Sequence, residues 1–202
     1  MLESHNIFNN KKILIYGLGK SGLSASKFLK RNNKVIEYDD KKNKNYGKIR
    51  KIEFDYIILS PGIDINKCKL SNFLKKNYSK IHTDLDIFYS NYKNNYKITI
   101  TGTNGKSTTA KILYEVIKAQ KIDVRLVGNI GNPILLEKNI TNKTIFIIEA
   151  SSYQLAYSKL FKSNISMILN ISPDHLDRHK TIRGYINAKF KLIKSQSKDD
   201  LA

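Results

Sequence analysis

The stretch 96–108, YKITITGTNGKST, constrains this chain more than any other. Ile98 and Ile100 alternate with Thr99 and Thr101 in the pattern of a strand, which runs directly into Gly102-Thr103-Asn104-Gly105-Lys106-Ser107-Thr108. The amphipathic segment AKILYEVIKAQ follows at once. Strand, glycine-rich turn, Lys-Ser and helix together surround a nucleotide's phosphates with backbone N–H groups and a helix N-terminus. In that arrangement Lys106 reaches the outer phosphates and the Ser107 hydroxyl reaches Mg²⁺. The spacing departs from the common G-x-x-x-x-G-K-[ST] loop, because the first glycine falls at Gly102 and not at Ile100. A tight turn capped by Ser or Thr is the plainer alternative; two glycines with Lys-Ser-Thr favour phosphate binding.

A second glycine loop lies near the start. Residues 11–16, KKILIY, read as a short apolar strand leading into Gly17-Leu18-Gly19-Lys20-Ser21-Gly22 and then the helix-like LSASKFLKR. This is G-x-G-x-x-G between a strand and a helix, where glycines permit a tight turn and close approach to a pyrophosphate. A strand over 34–38 ends in Asp39-Asp40, about where such a fold sets an acid against a ribose. A third, over 54–60, stops at Ser60-Pro61-Gly62, where Pro and Gly force a turn. The fold class expected is therefore α/β. A Rossmann-like nucleotide-binding domain occupies residues 1–93, and the polar segment SNYKNNYK (90–97) supplies the boundary. A second domain over 94–202 repeats the alternation, with near-continuous apolar runs at 124–128, 144–151 and 165–172 that suit parallel strands covered on both faces.

Glu149 ends one of these runs, the place for a Mg²⁺-organising carboxylate in a sheet that carries a phosphate loop. The next run leads to Pro173-Asp174-His175-Leu176-Asp177-Arg178-His179. His175 reads either as a ligand to a second divalent metal or as a surface histidine, and Asp174 and Asp177 equally as turn or cap residues. In the last helix, helical spacing puts Ile182, Tyr185, Ile186, Lys189 and Ile193 on one face, with Lys191 and Lys194 off it. An ammonium in the middle of an apolar stripe is costly. Lys189 either snorkels to the edge or is functional, paired with an anion or converted into one.

Composition limits the remaining classes. No apolar run approaches the roughly 18 residues of a membrane span, and the opening MLESHNIFNNKK lacks the apolar core of a secretory signal. Cys68 is the only cysteine, which excludes a disulfide framework or cysteine metal cluster. A cytoplasmic protein without membrane insertion is expected. The net charge of +19 is scattered as lysines beside asparagines along the whole chain, so it reads as solvated surface and not as a nucleic-acid interface.

GLGKSG (17–22), SPG (60–62), TGTNGKST (101–108), GNIG (128–131), EASSYQL (149–155) and NISPDHLDRH (170–179) occur in the order of the Mur ligases, and the chain resembles that family over nearly its whole length. The spellings are most similar to those of the member that joins D-glutamate to UDP-N-acetylmuramoyl-L-alanine. The resemblance implies ATP-dependent amide formation in peptidoglycan synthesis through an acyl phosphate, with two Mg²⁺ sites and a monomeric enzyme. It implies that Gly17, Gly19, Lys20, Ser21, Gly22, Asp39 or Asp40, Ser60, Pro61, Gly62 and Asn129 hold the UDP substrate. Gly102 to Thr108 hold ATP, with Lys106 on the transferred phosphoryl group. Ser107 and Glu149 serve one Mg²⁺, and His175 serves the second together with Lys189 as a CO₂-derived carbamate. The family has three domains, so the chain is expected to be an N-terminal fragment: an incomplete P-loop-type central domain, no C-terminal D-glutamate domain, and no complete ligase activity alone. Two rival readings are an NAD-dependent oxidoreductase domain and a nucleotide-binding module without catalysis.

Overall fold

The computed structural model describes residues 6–42 and 46–202; residues 1–5, part of the segment read for a signal, and the Asn-rich 43–45 lie outside it. The apolar runs become two parallel sheets. The first unit contains β1 (Lys12–Tyr16), α1 (Lys20–Leu29), β2 (Lys34–Tyr38), α2 (Tyr46–Ile49), β3 (Tyr56–Leu59), α3 (Ser71–Lys76) and β4 (Ile81–His82), with sheet order β2-β1-β3-β4. Helix α4 (Asp84–Asn91) leads to the second unit. That unit contains β5 (Tyr96–Thr101), α5 (Lys106–Ala119), β6 (Val124–Gly128), β7 (Ile145–Glu149), α6 (Ser152–Tyr157), β8 (Ile165–Ile168), α7 (Leu176–His179) and α8 (Ile182–Lys194), with sheet order β6-β7-β5-β8. Every pairing between these strands is parallel, as near-continuous burial requires: Ile13 to Tyr16 are wholly inaccessible, as are Thr99 to Thr101. The registers Tyr16↔Leu59 and Gly128↔Glu149 align the carboxyl ends of neighbouring strands, so the loops that follow them emerge along one edge of each sheet.

The two units share a core. Ile13, Ile15 and Leu85 from the first belong to the same buried cluster as Phe146, Leu155 and Phe161 from the second. Phe88 of α4 packs edge-on against Phe146, with ring centroids 4.8 Å apart. Asp86 of α4 adds direction to this apolar contact. Its Oδ1 accepts the Ser158 hydroxyl at 2.6 Å and the backbone N–H groups of Lys159, Leu160 and Phe161 at 3.0, 2.9 and 3.1 Å. Its Oδ2 lies 2.9 Å from His82 Nδ1. Burial pushes this carboxyl up, but the bonds from His82, Ser158 and Leu160 outweigh it and hold the group below the usual range. Beside it Asp84, pushed up by burial, accepts the Gln154 amide at 3.2 Å. Gln154 also closes a Ser151-x-x-Gln154 capping box at the start of α6.

The structure differs from the sequence expectations in several places. The polar segment 90–97 is shared between α4 and β5, leaving only residues 92–95 between them. Lys97 within it is buried, its Nζ donating to the Lys93 and Asn95 carbonyls at 2.8 and 2.5 Å. The run 165–172 ends as a strand at Ile168, because Asn170 turns to bond the glycine loop at 102–105. Its carbonyl accepts Thr103 N–H and its Oδ1 accepts Asn104 N–H. On α8 the buried face is Tyr185, Ala188, Lys189 and Leu192. Ile182 is 38% exposed and Ile193 only half-buried, so the face is rotated from the apolar stripe while still containing Lys189. Near the end, Leu201 makes a single parallel bridge to Ile165 beside β8.

Asp86→Asn keeps the size of this side chain and removes its charge, and is expected to cost about 3 kcal/mol of stability at neutral pH. The folded carboxyl sits below the unfolded value of about 3.9, so the contribution is complete above that value and is lost as pH falls through the folded-state pKa. Urea unfolding of wild type and variant at pH 7 and pH 3 measures this, and the gap between them should narrow in acid.

Candidate functional site

In the first sheet β1 has β2 on one side and β3 on the other, and the chain changes direction between them. A ligand crevice forms outside the carboxyl ends of strands at such a switch point. A cleft of about 550 Å³ lies there. Gly17, Gly19, Lys20, Ser21, Asp39, Asp40, Ser60, Pro61, Gly62 and Asn129 all line it. Gly22 lies beneath: a Cβ there would fall 1.8 Å from the Gly17 carbonyl oxygen and 2.6 Å from Ser60 Oγ. The Ser60 hydroxyl donates to the same Gly17 carbonyl at 2.7 Å, locking the two loops together. Asp39 accepts the N–H groups of Leu18 and Lys41, and the Leu18 bond above all holds its carboxyl below the usual range. Asp40 accepts the Tyr16 hydroxyl at 2.8 Å and the Lys69 N–H at 3.1 Å. Both acids thus shape the loop while bordering the cleft. Lys41, Ile63, Asp64, Lys67 and Cys68 complete the wall, and nothing in their spelling marked them as lining it.

A second cleft, of about 190 Å³, opens at the carboxyl edge of the second sheet. Gly102, Lys106, Ser151, Ser152, Tyr153, His175, Tyr185 and Lys189 line it, together with Pro61, Gly62 and Asn129 from the wall of the first. The two clefts are therefore contiguous. Gly105 has φ +80°, a left-handed conformation that other residues rarely adopt, and α5 starts at the next residue. The first helical bond in α5 runs from Thr109 N–H to the Gly105 carbonyl, so the N–H groups of residues 106–108 have no carbonyl of the helix to receive them. Lys106 Nζ folds back onto the Thr103 carbonyl at 2.8 Å. Glu149 is buried, with Oε2 accepting the Ser107 hydroxyl at 2.7 Å and Oε1 accepting the Asn129 amide at 2.9 Å. One carboxylate therefore connects the start of α5 to the wall shared by both clefts.

Lys189, 1% exposed, donates to the Gly102 carbonyl at 2.7 Å and to Thr101 Oγ1 at 3.3 Å, with its Nζ 4.6 Å from the Tyr185 ring centroid. Burial and then the charge of Lys106 lower its pKa to about 8. His175 has a left-handed φ of 54° and heads α7. Its side chain is 45% exposed, and its Nε2 lies 3.4 Å from an Asp174 oxygen. His179 is held differently, by the Ser152 hydroxyl at 3.0 Å and by stacking on Tyr153, with burial lowering its pKa. Tyr153, Arg178 and His179 were not legible as site residues, since each acts through partners distant in the chain. Among the described residues no three His, Cys, Asp or Glu side chains gather to hold a metal by themselves. Ser107 and Glu149 offer a pair of hard oxygen donors, the kind of site that binds Mg²⁺ together with phosphate oxygens.

Residues 100–202 match the Mur ligase middle domain. The chain belongs to the Mur ligase family. The chain is 37% identical over 211 residues to the UDP-N-acetylmuramoylalanine--D-glutamate ligase of Rickettsia felis, covering 98% of the chain and 46% of that protein. It is 36% identical over 206 residues to the enzyme of the same name from Caldicellulosiruptor bescii, covering 92% of the chain and 45% of that protein. The chain thus spans about half the length of the curated relatives it matches. Its fold is shared with the UDP-N-acetylmuramate:L-alanyl-gamma-D-glutamyl-meso-diaminopimelate ligase of Neisseria meningitides, with a TM-score of 0.59, 14% identity, and coverage of 95% of this chain and 70% of that one.

The two loop glycines give a matched test of the first cleft. Gly22→Ala is expected to destabilise the Mur ligase chain by about 2 kcal/mol, because the added methyl meets backbone. Gly19→Ala, which meets nothing within 4 Å, should change stability by less than about 0.5 kcal/mol. Thermal unfolding of the two variants separates these outcomes.

Proposed function

We propose that the first cleft holds the UDP moiety of UDP-N-acetylmuramoyl-L-alanine, that the second holds ATP, and that the chain serves an enzyme joining D-glutamate to that precursor in peptidoglycan synthesis. The observation that carries this reading is the common wall of Pro61, Gly62 and Asn129. A substrate anchored in the first cleft can extend its far carboxylate past this wall toward Lys106 and Lys189. The names of the relatives from Rickettsia felis and Caldicellulosiruptor bescii support the choice of substrates.

On this reading the L-alanyl carboxylate attacks the γ-phosphorus of ATP and ADP leaves, giving an acyl phosphate. The amine of D-glutamate then attacks the acyl carbon, inorganic phosphate departs, and the amine loses its proton. Bringing a carboxylate up to a triphosphate requires positive charge at the meeting point. The N–H groups of residues 106–108 and the Lys106 ammonium supply it, once Lys106 turns from the Thr103 carbonyl to the transferred group. Ser107 and Glu149 would hold one Mg²⁺, whose bound charge would offset that of the phosphate oxygens. His175, and Lys189 once carbamylated, would hold a second. The setting of Lys189 suits carbamylation, because its buried amine loses its proton far more readily than an exposed lysine's. Addition of CO₂ to that amine forms an N–C bond, releases a proton and leaves a carboxylate. ATP and the UDP-linked precursor would be met in the cytoplasm.

Isothermal titration tests the assignment of the two clefts. Lys106→Ala should weaken ATP binding at least tenfold while UDP-N-acetylmuramoyl-L-alanine affinity stays within twofold; NAD binding without either ligand would overturn the reading. For Lys189, ¹³C-NMR under ¹³CO₂ should show a carbamate signal that is missing from Lys189→Ala. Below about pH 8 the free amine is the minor form, so at constant dissolved CO₂ the signal should grow as pH rises from 6.5 toward 8. A signal equal in wild type and variant would remove the carbamate role.

A further inference from the structure

Arg178 joins the two clefts physically. It lies on the four-residue helix α7, its side chain is 10% exposed, and it reaches out of the second unit into the first. Its Nη2 donates to the Ile63 carbonyl and, at 3.4 Å, to that of Pro61, while its Nε sits 4.0 Å from Asp64. These acceptors belong to the loop that supports the glycine turn: Ile63 packs where a Gly17 side chain would be, and Ser60 bonds the Gly17 carbonyl. On its other side the Arg178 guanidinium lies 4.9 Å from the Tyr153 ring centroid, and the same ring is 4.9 Å from that of His175. The Arg178 N–H donates to the His175 carbonyl at 3.0 Å. The second anchor of α7 is the contact between His179 and Ser152, so His175 is mounted between one attachment in each unit.

We infer that Arg178 is a positioning residue that couples the clefts: a ligand settling on Ser60–Gly62 fixes the carbonyls Arg178 holds, and through α7 fixes His175 in the second cleft. This rests on the two-cleft reading above. The guanidinium suits the task as a lysine would not, since Nη2 holds the two carbonyls, Nε faces Asp64 and the delocalised cation also lies over Tyr153. Coupling of this kind is reciprocal, each ligand tightening the other by the same factor.

The test titrates ADP with Mg²⁺ into the chain with and without saturating UDP-N-acetylmuramoyl-L-alanine, for wild type, Arg178→Met and Arg178→Lys. In wild type the UDP ligand should tighten ADP binding at least fivefold, within the usual range of such couplings. In both variants that factor should fall below twofold, with each ligand's separate affinity kept within threefold. The His175 ring resonances should shift on adding the UDP ligand to wild type and stay fixed in the variants, a readout that a merely structural role would not move. If Arg178→Met does not fold, the coupling factor of Arg178→Lys decides the matter. Full coupling in the variants, or none in a wild type that binds both ligands, overturns the inference and leaves the two-cleft reading standing. A wild type that binds neither ligand overturns both.

Discussion

A carboxylate buried between two protein layers is costly unless its oxygens are nearly saturated with donors. Asp86 meets that condition with the turn at Ser158–Phe161 closed around Oδ1 and His82 at Oδ2. Apolar burial between the units, Phe88 on Phe146 among it, is larger but has no direction of its own. The carboxylate supplies direction, because sliding one sheet past the other would strand a charge and three backbone N–H groups. Asp84 on Gln154 reinforces the same alignment and extends it to the capping box that starts α6.

With that alignment fixed, the loops beyond the strands of both sheets meet. Glycine loops and helix N-termini cluster there for a simple reason: in each sheet the strand ends point their following loops, and the next helix N-terminus, outward at one edge. The resulting space has two amines at one end and the glycine turn at the other. Burial, with the charge of Lys106 close by, makes the Lys189 amine unusually easy to deprotonate.

Much of this was legible in the residues and some of it was not. Strands such as 12–16 and 145–149 show because both faces are covered and the sequence must be apolar throughout. The loops show because Gly22 and Gly105 occupy positions where a side chain meets backbone or a left-handed turn. Helix α4 was hidden, since Asp84 and Asp86 resemble solvent-facing acids until their partners, some 70 residues later, are in place. The buried face of α8 was off by a rotation, because Ala188 and Leu192 line it where the spacing favoured Ile182 and Ile193. Arg178 had no signal, as its acceptors are main-chain carbonyls 115 and 117 residues away, and any residue can provide a carbonyl.

The wall of Pro61, Gly62 and Asn129 is thin enough to belong to both cavities. Two molecules lying on either side of it would abut, so a single compound spanning it would lose its translational freedom once where two separate ligands lose it twice. Each half then holds the other at a high local concentration, and a tethered molecule gains affinity without any new contact. Selectivity follows from the same geometry. A protein with a single cleft would recognise half of such a compound and gain nothing from the rest.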